Sequence, residues 1–454
     1  MFKKITNLSV ELVQKYLPDA YVFAIILTVI TFIAAMLSTG QSFFDMTIHW
    51  GNGFWSLLGF TMQMALVLVL GNALAASKPI QSILDSIAKL AKTPTQAIIL
   101  VSLTAAIACW INWGFGLIVG ALLAKSVVKH VPTVDYRLLI ASAYSGFVVW
   151  HAGISGSVPL TVASNAEEVA KVTQGALTET IPVAQTIFSI PNLMISLIVI
   201  IVLPLINKAM QPSPEETITI DPKLLEEKVT VVESKAKQDM TPAEKLENSV
   251  ILSLIVVILG LVYLFYHFST NGFDLNLNIV NLIFLVLGVA FHKTPIQYSQ
   301  AIGEAIKGAG GILLQFPFYA GIMGMMTGVN ADGVSLASQI TNFFLSISNP
   351  TTFPMFTFWS AGLVNVFVPS GGGQWAVQGP IMMPASVELG VNPGITTMAI
   401  AWGDAWTNML QPFWALPALG IAKLNAKDIM GFCVMVLLIV GLIVSLSFLA
   451  WALI

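Results

Sequence analysis

Apolar runs of about twenty residues recur along this chain, the length that carries an α-helix across the hydrocarbon core of a bilayer. Residues 20–38, 54–76, 187–207, 249–267, 277–291, 302–328 and 429–451 form such runs. Hydrocarbon offers no water to backbone N–H and C=O groups, so each run has to close its hydrogen bonds within a helix. Composition leaves no water-soluble alternative. Apolar residues make up 56% of the 454 and charged residues 9%, against about 25% charged in soluble domains. Of the 43 Lys, Arg, Asp and Glu side chains, 14 lie between Pro212 and Asn248, which leaves the remainder poorer still. The sequence predicts an all-α polytopic membrane protein.

The same features exclude other classes. A net charge of −3, with Arg137 as the single arginine, provides no basic face for nucleic acid. Cys109 and Cys433 both sit in apolar runs, which argues against a disulfide framework or a thiolate metal site. The apolar stretch Tyr21 to Leu37 is too long for a secretory signal, and no small-residue cleavage site follows at Leu37-Ser38-Thr39-Gly40. It reads as a retained first span, preceded by a short amphipathic surface helix through Ile5, Leu8, Leu12 and Tyr16.

Two further crossings, 136–163 and 395–421, are interrupted by Gly, Ser, Asn and Pro. Two more apolar stretches, 95–125 and 351–386, have polar or glycine-rich centres at Ile111-Asn112-Trp113-Gly114 and Pro369-Ser370-Gly371-Gly372-Gly373-Gln374. Each is long enough for two half-helices meeting at a bend. Treating both as re-entrant hairpins, with a cytoplasmic N-terminus, puts 19 of the 20 basic residues on the cytoplasmic side and leaves Lys171 outside. Nine crossings and two hairpins are therefore expected, in place of ten to twelve full spans.

The two halves also resemble each other. Gly51, Gly59 and Gln63 correspond to Gly303, Gly311 and Gln315. Thr93-Pro94-Thr95 corresponds to Asn349-Pro350-Thr351, Asn112 to Asn365, and Pro159 to Pro417. An odd number of crossings separates the equivalents, so the halves are expected to lie upside down to each other, which is the pattern of a secondary transporter with a midplane site. The division expected is a first repeat over 1–210, a charged cytoplasmic connector over 211–248, a linking helix over 249–267 and a second repeat over 268–454. Helix-start signals in the connector stand at Asp221-Pro222 and Thr241-x-x-Glu244.

Non-helical backbone at membrane depth survives only beside protein or a wet cavity. The candidate substrate site is therefore Asn112, Trp113, Gly114, Ser155, Gly156, Ser157, Asn365, Ser370, Gly371, Gly372, Gly373, Gln374, Asn408 and Gln411. Helix N-termini at the tips attract an anion. No Lys or Arg lies in the middle of any span, so the pattern suits one carboxylate better than two. Trp110, Trp113, Phe115, Trp375, Trp406 and Phe413 offer surface to a short apolar tail. The residues thus point to cation-coupled transport of a small, singly charged organic anion. Asn112, Asn365 and Asp404 are the ion-coupling candidates. Na⁺ suits the neutral Asn, Ser and Gly tips and is preferred, whereas H⁺ needs a titratable carrier, for which Asp404 is placed inside a broken crossing. No organic cofactor is expected. The asparagines have a plainer reading as helix caps, and His151, beside Trp150, as a hydrogen-bonded packing residue. An intramembrane serine hydrolase, suggested by Gly153-Ile154-Ser155-Gly156, would need a His base beside Ser155 and is disfavoured.

Longer strings carry a family resemblance that runs nearly end to end. They are Leu17-Pro18-Asp19, Trp50-Gly51-Asn52-Gly53-Phe54-Trp55, Ile111-Asn112-Trp113-Gly114-Phe115-Gly116-Leu117 and Ser155-Gly156-Ser157. Further on come Ile220-Asp221-Pro222-Lys223-Leu224-Leu225, Gln315-Phe316-Pro317-Phe318-Tyr319-Ala320-Gly321, Val368-Pro369-Ser370-Gly371-Gly372-Gly373, Gln378-Gly379-Pro380 and Gln411-Pro412-Phe413-Trp414-Ala415-Leu416-Pro417-Ala418. In these the chain resembles the short-chain fatty acid transporter family (AtoE type) of the ion-transporter superfamily. The resemblance implies a bacterial inner-membrane carrier for acids such as butyrate or acetoacetate, working as a homodimer by an elevator motion of its hairpins. It also implies an acid one turn inside the last broken helix, here Asp404. His151 departs from the pattern, standing where a small residue is expected.

Overall fold

The computed structural model describes residues 20–220, 240–272, 275–367, 371–410 and 413–452. Among the described residues every regular element is helical. The first half runs α1 (Ala20–Thr39), α2 (Phe43–Phe54), α3 (Leu58–Ala75), α4 (Lys78–Ala88), α5 (Pro94–Ile111), α6 (Trp113–His130) and α7 (Tyr136–Ser145). A 3-10 segment, Gly146–Ala152, leads into α8 (Ser157–Ser164), α9 (Ala166–Val172) and α10 (Ile190–Ala209). The short α11 (Pro242–Glu247) and the long α12 (Val250–Asn271) join the halves. The second half runs α13 (Leu277–His292), α14 (Pro295–Ala305), α15 (Gly310–Thr327), α16 (Leu336–Ile347), α17 (Phe353–Phe367), α18 (Gly371–Glu388), α19 (Pro393–Thr407), α20 (Leu416–Ala422) and α21 (Ala426–Trp451).

Short polar residues start these helices by accepting otherwise unpaired N–H groups. Thr93 caps α5 through Gln96 N–H, with Pro94 supplying a preset φ at the first helical position. Asp135 caps α7 through Leu138 N–H at 2.9 Å. Thr241 and Glu244 cap each other at the start of α11, as their spacing predicts. The other connector signal, Asp221-Pro222, and the expected surface helix before Tyr21 lie outside the described residues.

Both glycine- or asparagine-centred stretches are antiparallel helical hairpins. In the first, α5 and α6 turn at Asn112 and approach so closely that a Cβ on Gly116 would stand 2.5 Å from Cys109 Cα and Sγ. In the second, Gln374 Nε2 donates to Ala361 O at 2.7 Å and Gln378 Nε2 to Ser360 Oγ at 3.1 Å, which ties α18 back onto α17. The turn of this hairpin, at 368–370, lies outside the described residues. Each hairpin is followed by an interrupted helix: α7 and α8 around the break at 146–156, and α19 and α20 around a break that begins at Asn408. The first break satisfies its backbone within the protein, for example through Ile154 N–H to Trp110 O at 2.8 Å, which is the condition for non-helical chain at membrane depth.

The halves also embrace. α1 lies along α15 in the same direction, with Tyr21 against Phe318 and Asn330 Nδ2 donating to Thr39 O. α13 lies along α3 in the same direction, through Asn281 Nδ2 to Gln63 O and His292 Nε2 to Ala73 O. α2 and α3 run against α15, with Gly53 meeting Gly324 and, further along, Leu68 meeting Gly308. On length and apolarity alone, six helical runs among the described residues can cross a membrane, or seven if the pair Thr61–Ala75 and Lys78–Ala88, bent by 65°, is one span. The six include Pro94–Ile111, an arm of the first hairpin; of the nine crossings expected, those at Ala24–Thr39 and Leu277–His292 are apolar but shorter, and the one around α19 and α20 is interrupted. The outer face of α12 is apolar and open, with Ile251, Leu259 and Phe265 all exposed, as lipid contact requires.

Candidate functional site

The two breaks, the first hairpin tip and the start of α18 meet in the interior. Ser155 Oγ, in the first break, accepts Trp113 N–H from the first tip at 2.9 Å. His151, from the 3-10 segment, reaches across to the second half, where its Nδ1 lies 2.9 Å from Asp404 Oδ2 on α19. Its other ring nitrogen, Nε2, lies 3.0 Å from both Ser157 Oγ and Val158 N at the start of α8. A backbone N–H can only donate, so Nε2 is the acceptor and Nδ1 carries the proton toward Asp404. The start of α18 packs directly on these groups: a Cβ on Gly371 would overlap Ser157 Oγ and stand 2.6 Å from His151 Cε1. Only a glycine fits there.

Asn365, one turn before the second tip, donates through Nδ2 to Asp404 O at 2.8 Å and to Thr407 Oγ1 at 2.9 Å. Asn408 closes a similar bond to Asp404 O, and its side-chain and backbone oxygens accept Trp150 Nε1 and the Tyr144 hydroxyl. Asp404 Oδ1 and Asn365 Oδ1 are buried acceptors with no hydrogen-bond partner among the described residues. Asn112, His151, Ser155, Ser157, Asn365, Gln374, Asp404 and Asn408 are each no more than 1% exposed. These side chains are closed to solvent.

The aromatic lining is denser than the sequence indicated. Trp113 packs on Trp414 (5.0 Å between centroids) and Trp150 (5.8 Å). Phe147 stacks on Trp150, and Trp150 stacks on His151 at 4.1 Å. Phe147, Trp150 and Trp414 are not among the aromatics that the sequence places at the tips. A signal existed: Tyr144, Phe147 and Trp150 recur every third residue, the spacing at which side chains eclipse in a 3-10 helix. Asn192 on α10 was also missed, although it donates to Ala152 O and Ile187 O and accepts Trp402 Nε1.

Of the aromatics that were expected, only Trp113 joins this cluster. Trp110 meets Phe188, Phe115 meets Phe284, and Trp406 packs on Phe358 and donates to Leu437 O. Trp375 is buried within α18. Among the expected site residues, Asn112 is the N-cap of α6, holding Phe115 N–H at 2.9 Å, so its plainer reading holds for Oδ1. Gly114 packs on the α3 backbone at Leu68. Gly372 and Gly373 are buried beside Gly371, and Gln374 joins the hairpin arms. Gly156 is the N-cap of α8. Ser370, Gln411 and the Phe413 side chain lie outside the described residues. Ser155 faces a backbone N–H, and the serine beside the histidine is Ser157, so the serine-hydrolase string does not find its base where it needs one.

Three helix starts therefore converge here, those of α6, α8 and α18. Free N–H groups and the positive end of the helix dipole favour an anion at such a place, by about 0.3–2 kcal/mol for each terminus. The central part of every helix that meets the site lacks Lys and Arg. A singly charged head with a short apolar tail matches both the dipoles and the aromatic wall.

Comparison with known proteins gives three results. The family model described as Short chain fatty acid transporter matches residues 1–451. A relative from Escherichia coli (strain K12) named for short-chain fatty acid transport is 46% identical over 443 residues, covering 98% of each chain. Another so named, from Haemophilus influenzae, is 47% identical over 440 residues, covering 96% of this chain and 97% of that one. Among solved structures, the Alcanivorax borkumensis YdaH transporter, whose topology is described as unusual, superposes with a TM-score of 0.57 at 17% identity, over 96% of this chain and 98% of that one. That last likeness concerns the fold alone.

Proposed function

Because the chain belongs to the short-chain fatty acid transporter family, we propose that it carries monocarboxylates such as butyrate and acetoacetate across the bacterial inner membrane, driven by a cation gradient. The observation that carries this reading is the meeting of three helix starts beside Trp113, Phe147, Trp150 and Trp414, with no Lys or Arg in the central part of the described helices that meet there. Two or three helix termini stabilise one carboxylate by about 1–4 kcal/mol. A buried three-carbon tail adds roughly 2.4 kcal/mol at ~0.8 per methylene. A second carboxylate would find no Lys or Arg in the central part of the described helices around the site to neutralise it.

Alternating access is the mechanism proposed, by an elevator motion of the hairpins and interrupted helices against the remaining helices, within a homodimer whose N-termini are cytoplasmic. The reciprocal contacts support two inverted repeats: α1 beside α15 and α13 beside α3, with α3 running against α15. The buried Asp404 is the proposed ion-coupling group. Coupling to Na⁺ was preferred from the neutral tips; the pairing of Asp404 with a histidine supports H⁺ instead. Imposed Na⁺ and pH gradients, applied separately to proteoliposomes, distinguish the two.

A carrier of another small anion, a dicarboxylate or an amino-acid derivative, is the competing reading on the same scaffold. Uptake of labelled butyrate into proteoliposomes, competed by acetate, acetoacetate and succinate, decides between them. Competition by the monocarboxylates and not by succinate is expected. Stronger competition by succinate than by unlabelled butyrate overturns the proposal.

A further inference from the structure

The start of α8 is already occupied. Val158 N–H and the Ser157 hydroxyl are the donors that a carboxylate would use there, and His151 Nε2 stands 3.0 Å from each. The occupant belongs to the chain itself. It is clamped from three sides: by Asp404 on Nδ1, by Trp150 stacked at 4.1 Å, and by the Gly371 backbone over Cε1. An imidazole nitrogen has one lone pair, and two donors share it. Asp404 Oδ1, fully buried, has no partner among the described residues, so its carboxylate has capacity to hold a more strongly donating, positively charged ring.

We propose that His151 is a proton-operated plug of the carboxylate subsite. Neutral, it accepts both donors at the start of α8 and excludes the substrate head group. When one proton from the aqueous side bonds to Nε2, the lone pair is lost and the nitrogen becomes a donor. The ring can then no longer accept from Ser157 or Val158; the Ser157 hydroxyl can turn to accept from Nε2–H, which frees its own proton. Both donors are released, and an imidazolium held by Asp404 faces the vacated position. The carboxylate enters there, so that one proton accompanies one anion. This inference rests on the transport reading above and gives it a stoichiometry.

The surroundings of the ring leave that proton to His151 and Asp404. The helices packed around the 3-10 segment are α5, α6, α7, α8, α10, α18 and α19. Cys109 on α5 and Tyr144 on α7, whose hydroxyl donates to Asn408 O at 2.8 Å, are the other titratable side chains on these helices nearest the break. The cations on these helices stand at their far ends: Lys125 and Lys129 on α6, Arg137 on α7 and Lys208 on α10.

The test is butyrate binding by isothermal titration calorimetry on the full chain in nanodiscs, from pH 5.5 to 8.5. It uses buffers of differing ionisation enthalpy, with wild type, His151→Asn and His151→Ala. In wild type, affinity should weaken about tenfold per pH unit on the alkaline limb of the binding profile, with close to one proton taken up per butyrate there. In His151→Ala the affinity should be flat with pH, weaker than wild type at pH 5.5 and tighter at pH 8.5. A merely structural role weakens binding at every pH and produces no crossing. Should both variants fail to fold, proton uptake by wild type decides alone. Butyrate binding with no proton uptake, or profiles that stay parallel in the variants, overturns this inference and leaves the transport reading standing. No butyrate binding at any pH overturns both.

Discussion

His151 Nδ1 lies 2.9 Å from Asp404 Oδ2, and the two residues stand 253 positions apart, one in the interrupted helix of each half. The pair is a side-chain link between the two breaks. It sits under the second hairpin tip and beside the first, so anything that changes its charge is felt by both.

Asp404→Asn and Asp404→Ala should separate charge from packing. Asparagine retains an acceptor for the Nδ1 proton, so thermal unfolding in detergent should hardly move, while gradient-driven uptake should fall by about 10–100-fold for want of a partner to the charged ring, a loss of roughly 1.5–3 kcal/mol. Alanine leaves a buried N–H unpaired and should also cost about 1–3 kcal/mol of stability. Uptake by Asp404→Asn at the wild-type rate contradicts the assignment.

Gly371→Ala should abolish uptake. The added methyl overlaps Ser157 Oγ and approaches His151 Cε1 to 2.6 Å, and insertions of this kind into a packed interior cost about 1–3 kcal/mol. Gly303→Ala, where a Cβ meets nothing within 4 Å, is the matched control and should transport normally. Equal activity of the two variants would show that the second tip does not close on the histidine.

Phe147→Leu should lengthen the preferred acid. Phe147 is fully buried between Tyr144, Trp150 and Trp414, so a smaller side chain makes room for extra methylenes, each worth ~0.8 kcal/mol when buried. Hexanoate should then compete with labelled butyrate several-fold better than it does in wild type. An unchanged competition series would place the alkyl tail elsewhere.

Asn192→Leu should destabilise the fold around the first break. Asn192 makes three buried hydrogen bonds, to Ala152 O, Ile187 O and Trp402 Nε1, and orphaning those groups should cost about 3 kcal/mol in total. The readout is the midpoint of thermal unfolding in detergent. Asn207→Leu, which breaks the bonds to Ser102 Oγ and Ser145 Oγ, should cost less because both hydroxyls have other acceptors in Ile98 O and Ser142 O.

The membrane class, both hairpins and both interruptions were legible in the sequence because each follows from one-dimensional rules: run length, breaker residues and the placement of lysines. Asn112 and Ser155 were legible as buried polar groups at a tip and a break, where they hold backbone N–H groups of the first hairpin. The partnership of His151 with Asp404 was not. Each residue alone has a plain reading, and only the packing of α19 against the 3-10 segment brings them into contact. The aromatic wall failed for a similar reason: Trp406 and Trp375 lie as close in sequence to a tip or break as Trp113 does, but they point into helix–helix packing. Trp414 and Phe147 reach the cluster from opposite halves. Phe147 was missed because the expected interruption of 136–163 does not state its local geometry, and it is the 3-10 turn that stacks Phe147 between Tyr144 and Trp150.

Counterflow tests the transport account most directly. Proteoliposomes containing the full chain are loaded with unlabelled butyrate and diluted into a trace of labelled butyrate without any ion gradient. A carrier that alternates around a monocarboxylate site predicts a transient accumulation of label above its equilibrium level, driven equally by loaded acetoacetate and not by loaded succinate. Label that only equilibrates, or that accumulates when succinate is loaded and not when butyrate is, contradicts the account.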